Sequence, residues 1–213
     1  MMSRNRFYFF IALALALFFP LFIFRRIGPF DFWWWLSGNI LVLSVLIFRF
    51  DPEYRHRIRA DLGKTLPRWI AWGLISACLL YLVFWIGNFL SRELFAFAGS
   101  GINHVYDFRQ NASSARIVIL MLLIIGPGEE LIWRGFIQHH FARRYPPLTA
   151  FFISTFLYTA IHLGSLNFML ILAALVCGAF WGILYERFQS IFLNVVSHTV
   201  WDVLVFIIFP FSG

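Results

Sequence analysis

A chain of 213 residues that is 61% hydrophobic and only 13% charged, with a mean hydropathy of +0.79, cannot be a soluble globule. Close to half of the residues of such a globule must face water, which leaves no room for that much apolar surface. The net charge of +7 does not point to nucleic acid either, because the basic residues fall between apolar runs, as cytoplasmic loops require, and no soluble basic domain exists to hold it. The lipid bilayer is the expected partner.

A membrane span needs roughly 20 mostly apolar residues. In chain order the apolar runs predict spans over Phe7–Phe24, Phe30–Phe48, Trp69–Leu90, Ile117–Gln138, Leu148–Gly164, Leu166–Tyr185 and Phe188–Phe209. The expected fold is therefore all-α, a polytopic transmembrane helical bundle of about seven spans. The first run is too long and too rich in Phe, and lacks a small-residue cleavage site, to read as a removable signal peptide. Trp33-Trp34-Trp35, Trp69 and Trp72 fit an interfacial aromatic belt. Two stretches interrupt the spans: residues 49–68, with six basic residues, and Ser91 to Ala115, a loop or short surface helix. Cys78 and Cys177 lie inside apolar runs and read as packing residues, not a disulfide. His56, His104, His139 and His140 sit near loops and read as solvated, as does the Glu186-Arg187 helix end.

Orientation follows from Lys and Arg. With the N-terminus inside, one face collects Arg4, Arg6, the six of residues 49–68, Arg143, Arg144 and Arg187, eleven in all. The other collects Arg25, Arg26, Arg92, Arg109 and Arg116, which is five, and Arg134 lies within a span. The excess predicts a cytoplasmic N-terminus.

Three spans carry polar residues where a charge costs at least ~2.5–3.5 kcal/mol. The fourth holds Gly126-Pro127-Gly128-Glu129-Glu130 and Arg134; the fifth, Tyr158 and His162; the seventh, Asn194, His198 and Asp202. Residues four apart share a helix face, so Glu130 and Arg134 can pair. Glu129 is turned ~100° away and has no partner in its own helix. Asn194, His198 and Asp202 form one stripe that must face protein or a cavity. Counting from the Pro146-Pro147 turn puts Glu129 and His162 level, each ~24–26 Å away at 1.5 Å per residue. The carboxylates and both histidines are thus expected in one layer on the cytoplasmic side of the midplane. Pro127 should kink its helix and leave the two glutamates at a fresh helix start.

Glu129-Glu130-Leu131-Ile132-Trp133-Arg134-Gly135 resembles the EExxxR(G) motif of the CPBP family of intramembrane proteases, which includes type II CAAX prenyl endopeptidases and bacterial abortive-infection (Abi) proteins. Tyr158 to His162 resembles its FxxxH motif with Tyr for Phe, and His198 to Asp202 its HxxxN or HxxxD motif. The match spans roughly residues 115–205. The resemblance implies a four-span catalytic core in 115–213, behind an N-terminal transmembrane region in 1–114 of about three spans, within one integral membrane domain.

It further implies an endopeptidase of a membrane-associated peptide or protein, prenylated or leader-bearing; the small size and the absence of an organelle address favour a bacterial plasma membrane. Glu129 would activate water beside His162, Glu130 and Arg134 would shape the site, and His198 and Asp202 would complete it. Two mechanisms suit such residues. In one, zinc or another divalent ion held by Glu129, His162 and His198 lowers the pKa of its water. In the other, Glu and His activate water directly. An ionised Asp202 cannot donate to an oxyanion as Asn could; it suits orienting His198 or balancing a metal. Intramembrane carboxylates also serve proton-coupled transporters, although no repeat or symmetrical pair of broken helices is seen here. A non-catalytic immunity or scaffold protein would carry the same residues.

Overall fold

The computed structural model describes residues 2–62, 66–110 and 112–211. Lys64, one of the six basic residues of the 49–68 stretch, lies outside them. Among the described residues the chain forms α1 (Arg4–Phe24), a two-residue hairpin of β1 (Arg26–Ile27) and β2 (Phe30–Asp31), α2 (Phe32–Phe50), α3 (Pro52–Leu62), α4 (Leu66–Leu94) and α5 (Ala98–Tyr106). Then follow α6 (114–142), α7 (Pro147–His162), α8 (Phe168–Phe188) and α9 (Ile191–Val203, extended by a π turn over Leu204–Ile208).

Helix starts follow local chemistry. Ser3, Asp31, Asn167 and Ser190 each accept a backbone N–H from the first turn of α1, α2, α8 and α9, the role for which short polar side chains are preferred. Six helices, α1, α2, α4 and α7 to α9, are long and apolar enough to cross a membrane. The remaining expected span is α6, a continuous helix whose α turns are interrupted by π segments at Met121–Ile125 and Leu131–Gln138. Apolar side chains cover the outside: Leu123 is 72% exposed, Phe156 69% and Phe9 61%. Only lipid accommodates such a surface, and only helices that satisfy their own backbone can present it there. The chain is an all-α integral membrane protein.

The helix ends sort onto two faces. On one, the start of α1, the end of α2, α3, and the α6–α7 and α8–α9 turns meet. There Arg143 pairs with Glu53, Arg144 Nη2 donates to the Met2 carbonyl at 3.3 Å, and Asp61 Oδ2 accepts the Phe192 N–H at 2.9 Å. His140 is buried rather than solvated, stacked on Phe7 with its Nε2 3.0 Å from Asp51 Oδ2. Glu186 is likewise engaged, accepting from Gln138 Nε2 at 2.9 Å. On the opposite face lie the β hairpin, α5, the start of α6 and the end of α7. Here Asp31 also pairs with Arg116. Trp33 departs from the expected belt: it is 2% exposed and its Nε1 donates to the Phe108 carbonyl at 2.6 Å, while Trp34 stays at the surface.

The Gly126-Pro127-Gly128 segment does not restart the helix as expected. Gly126 N–H donates five residues back, to Met121, and this wider turn makes room for a proline ring that would strain an ordinary α turn. The glycines serve packing instead. A Cβ at Gly126 would collide with Thr199 of α9, and one at Gly128 with Ile40 of α2. α6 can therefore lie close to both neighbours.

Candidate active site

α6, α7, α8 and α9 bring the polar residues together in two connected groups. The first centres on Glu130, which is fully buried. Its Oε1 accepts from Arg134 Nη1 at 2.8 Å and from His198 Nδ1 at 2.7 Å, and its Oε2 accepts from Asn194 Nδ2 at 3.0 Å. Arg134 Nη2 also donates to the Gly178 carbonyl at 3.1 Å, and its guanidinium lies between the rings of Tyr158 (4.9 Å) and Trp181 (5.5 Å). Asn194 Nδ2 is shared with the Trp181 carbonyl at 2.8 Å. Charge-assisted bonds to both carboxylate oxygens offset the cost of burying Glu130 and Arg134 together.

The second group faces a cavity of about 280 Å³ whose lining is mostly apolar and includes Glu129, Tyr158, His162, His198 and Asp202. Glu129 is turned away from Glu130 as expected, and its hydrogen-bond partner among the described residues is on another helix: the Tyr158 hydroxyl donates to Oε2 at 3.0 Å. His162 Nδ1 donates to the Tyr158 carbonyl at 2.8 Å, which directs the free lone pair of a neutral ring to Nε2. His198 is fixed more tightly. Its ring stacks on Trp181 with centroids 3.6 Å apart and 17° between planes, and Nδ1 bonds Glu130, so Nε2 is again the atom left for chemistry.

Two expectations change here. The carboxylate that orients His198 is Glu130; Asp202 Oδ1 stands 3.6 Å from Nε2, too far for a hydrogen bond. The layer is also displaced. Glu129 meets Tyr158, and His162 sits one turn beyond, at the last residue of α7 and against Phe22 near the end of α1 (ring centroids 4.4 Å). The site thus runs from mid-helix toward the end of the bundle away from the Arg143-Arg144 turn. Equal residue counts from that turn do not give equal depth, because the π stretch Leu131–Gln138 lies between Glu129 and the turn and α7 contains none.

Trp181 is a part of the site that the sequence did not single out, and Tyr158, singled out there as a polar residue, was not paired with Glu129. Asn194 was legible only as a member of the stripe, and no spacing marks Trp181 in a chain with nine tryptophans. Cys78 and Cys177 are both free, and Cys177 is buried in the cavity wall. Among the described residues no three His, Cys, Asp or Glu side chains stand close enough together to hold a metal ion. As placed, Glu129, His162 and His198 do not fit a zinc centre.

Residues 111–204 match the family model described as Type II CAAX prenyl endopeptidase Rce1-like, a match that supports the resemblance to the CPBP family of intramembrane proteases. No curated protein and no solved structure matches the chain. The matched segment holds α6 through α9 and so every residue of both groups.

Proposed function

We propose that this protein is an intramembrane endopeptidase in which Glu129 activates water against a peptide bond of a membrane-associated substrate. The observation that carries this reading is the contrast between two adjacent glutamates. Glu130 has both oxygens committed to Arg134, His198 and Asn194, whereas Glu129 reaches the cavity held by a single hydroxyl. A general base needs an oxygen free for the water it deprotonates. His162 Nε2 is the second group able to take or return that proton, and His198 Nε2 the third, with Asp202 beside it. The family supports protease activity in general.

In each turnover water adds to the carbonyl carbon as its proton passes to Glu129. The proton then moves to the leaving amine as the C–N bond breaks. The location we propose is a bacterial plasma membrane with the N-terminus cytoplasmic. The test is a comparison of new N-termini in cells expressing wild-type protein or Glu129→Gln. Termini present only with the wild type support the protease; identical sets sink it and leave the scaffold or transporter.

A divalent metal, zinc first, is the second reading, favoured by two histidines and a carboxylate that line the same cavity, with Nε2 of His162 unbonded among the described residues. It requires these side chains to move together. Tag-free protein purified without chelators would then carry about one metal per chain, lost in His162→Ala and in His198→Ala; a metal-free, folded and active wild type would reject it.

A further inference from the structure

We propose that the site is entered from the face opposite the basic loops, so that the enzyme cuts substrates presented from the non-cytoplasmic side of the membrane. This deepens the protease reading and rests on it for the word substrate, but the direction of access stands on independent observations.

The first is charge. Among the described residues, the face formed by the start of α1, α3 and the α6–α7 turn carries ten Arg, and the face with the β hairpin and α5 carries five. The excess marks the former as cytoplasmic.

The second is where the cavity lies. Its lining comes from the ends of α1, α4, α7 and α9 and the beginnings of α2, α6 and α8, all on the five-cation side. Asn88 and Tyr106, both part-exposed, line it together with the buried Phe22 and Trp33, and its two carboxylates are Glu129 and Asp202.

The third is what closes it. Between Glu129 and the basic face stand Glu130, Arg134, Asn194, Gln138, Trp133 and Trp181, none more than 2% exposed. The Glu130 bonds and that of Gln138 Nε2 to the Gly182 carbonyl (3.0 Å) tie this plug across α6, α8 and α9. A chain arriving from the cytoplasm would have to break a buried ion pair to reach Glu129. On the other side the cover is α5, whose Ile102, Val105 and Tyr106 face the cavity and are themselves part-exposed. It is held from outside the bundle by Asn167 Nδ2 donating to the Gly101 carbonyl (2.7 Å) and by Tyr106 donating to the Val205 carbonyl (3.1 Å).

The substrate class follows. The apolar lining suits a hydrophobic stretch of peptide, and the direction of access selects proteins whose membrane-proximal segment lies on the outer side. A lipidated C-terminal tail on a cytosolic protein would meet the plug.

Sided labelling tests this without needing activity. Single cysteines are introduced in a Cys78→Ala, Cys177→Ala background at Asn88 on the cavity, Gln110 on the same face and His56 on the basic face. They are treated with a membrane-impermeant maleimide in intact bacterial cells. Labelling of Asn88→Cys and Gln110→Cys in intact cells, with His56→Cys labelled only after permeabilisation, is the expected result; the reverse pattern overturns the proposal. Should a variant fail to accumulate, alkaline phosphatase and green fluorescent protein fused after residue 213 of the unaltered chain give the same answer. An active phosphatase with a dark fluorophore supports it, and the opposite pair overturns it. New N-termini that depend on Glu129 provide the substrate arm: outer-side segments are expected, and cytosolic tails overturn it. Outward labelling without any such termini would instead count against the protease reading alone.

Discussion

The two halves of the buried polar layer each hold one of two adjacent glutamates and behave oppositely. Toward the basic face, Glu130, Arg134 and Asn194 are dry and bonded to one another. Toward the cavity, Glu129, His162 and Asp202 have few partners and line open space. A rotation of ~100° between neighbours on one helix separates a glutamate that organises structure from one placed to react. Burial sets the rule: a charged group inside protein is stable only when its lone pairs are met, so an under-bonded carboxylate beside a cavity is where function is to be sought. His198 joins the halves, with one nitrogen on Glu130 and the other toward Asp202.

The largest expected effect breaks the reactive half. Glu129→Gln keeps the shape and the Tyr158 contact but removes the base. Cleavage of a substrate found by N-terminal mapping should fall about 10²–10⁴-fold, with the thermal midpoint in detergent close to wild type. Loss of activity together with a large fall in midpoint would put Glu129 among the structural residues and erase the contrast.

Breaking the structural half should give the inverse pattern. Glu130→Ala leaves Arg134, with its side chain 3% exposed, without its carboxylate, and removes the acceptor that fixes His198. Loss of one partner of a buried pair costs about 3–5 kcal/mol, read as a lowered unfolding midpoint. A midpoint within error of wild type would show that Arg134 is held by the Gly178 carbonyl and the two rings alone. Asn194→Ala removes one of the three donors to the same carboxylate and should cost about 1–3 kcal/mol, in the same assay.

Much of this division is legible in the sequence. The i, i+4 spacing pairs Glu130 with Arg134 and aligns Asn194, His198 and Asp202, because helix periodicity and the cost of membrane charge leave few arrangements. What is not legible there is of two kinds. Contacts between distant segments, such as Trp181 against His198, Tyr158 on Glu129 or His140 on Asp51, leave no local trace. Changes of helix type do not show either: the π turns of α6 alter both the role of Gly126-Pro127-Gly128, which becomes close packing, and the depth of Glu129 relative to His162. Six of the seven apolar runs correspond to helices long and apolar enough to cross a membrane, and the seventh coincides with α6, whose turns are irregular.

The smallest effect sharpens the comparison most. Tyr158→Phe deletes only the hydroxyl that holds Glu129, and Phe is the residue found at this position in the motif that Tyr158 to His162 resembles. The ring still lies against Trp133 and beneath Arg134, so stability should change by less than about 1 kcal/mol. If the hydroxyl aims the carboxylate at its water, cleavage should fall about fivefold, the equivalent of one hydrogen bond of about 1 kcal/mol, mainly in kcat. A rise in kcat would mean that the hydroxyl competes with water for Glu129 Oε2, so that the bond seen in the resting site must open before each turnover.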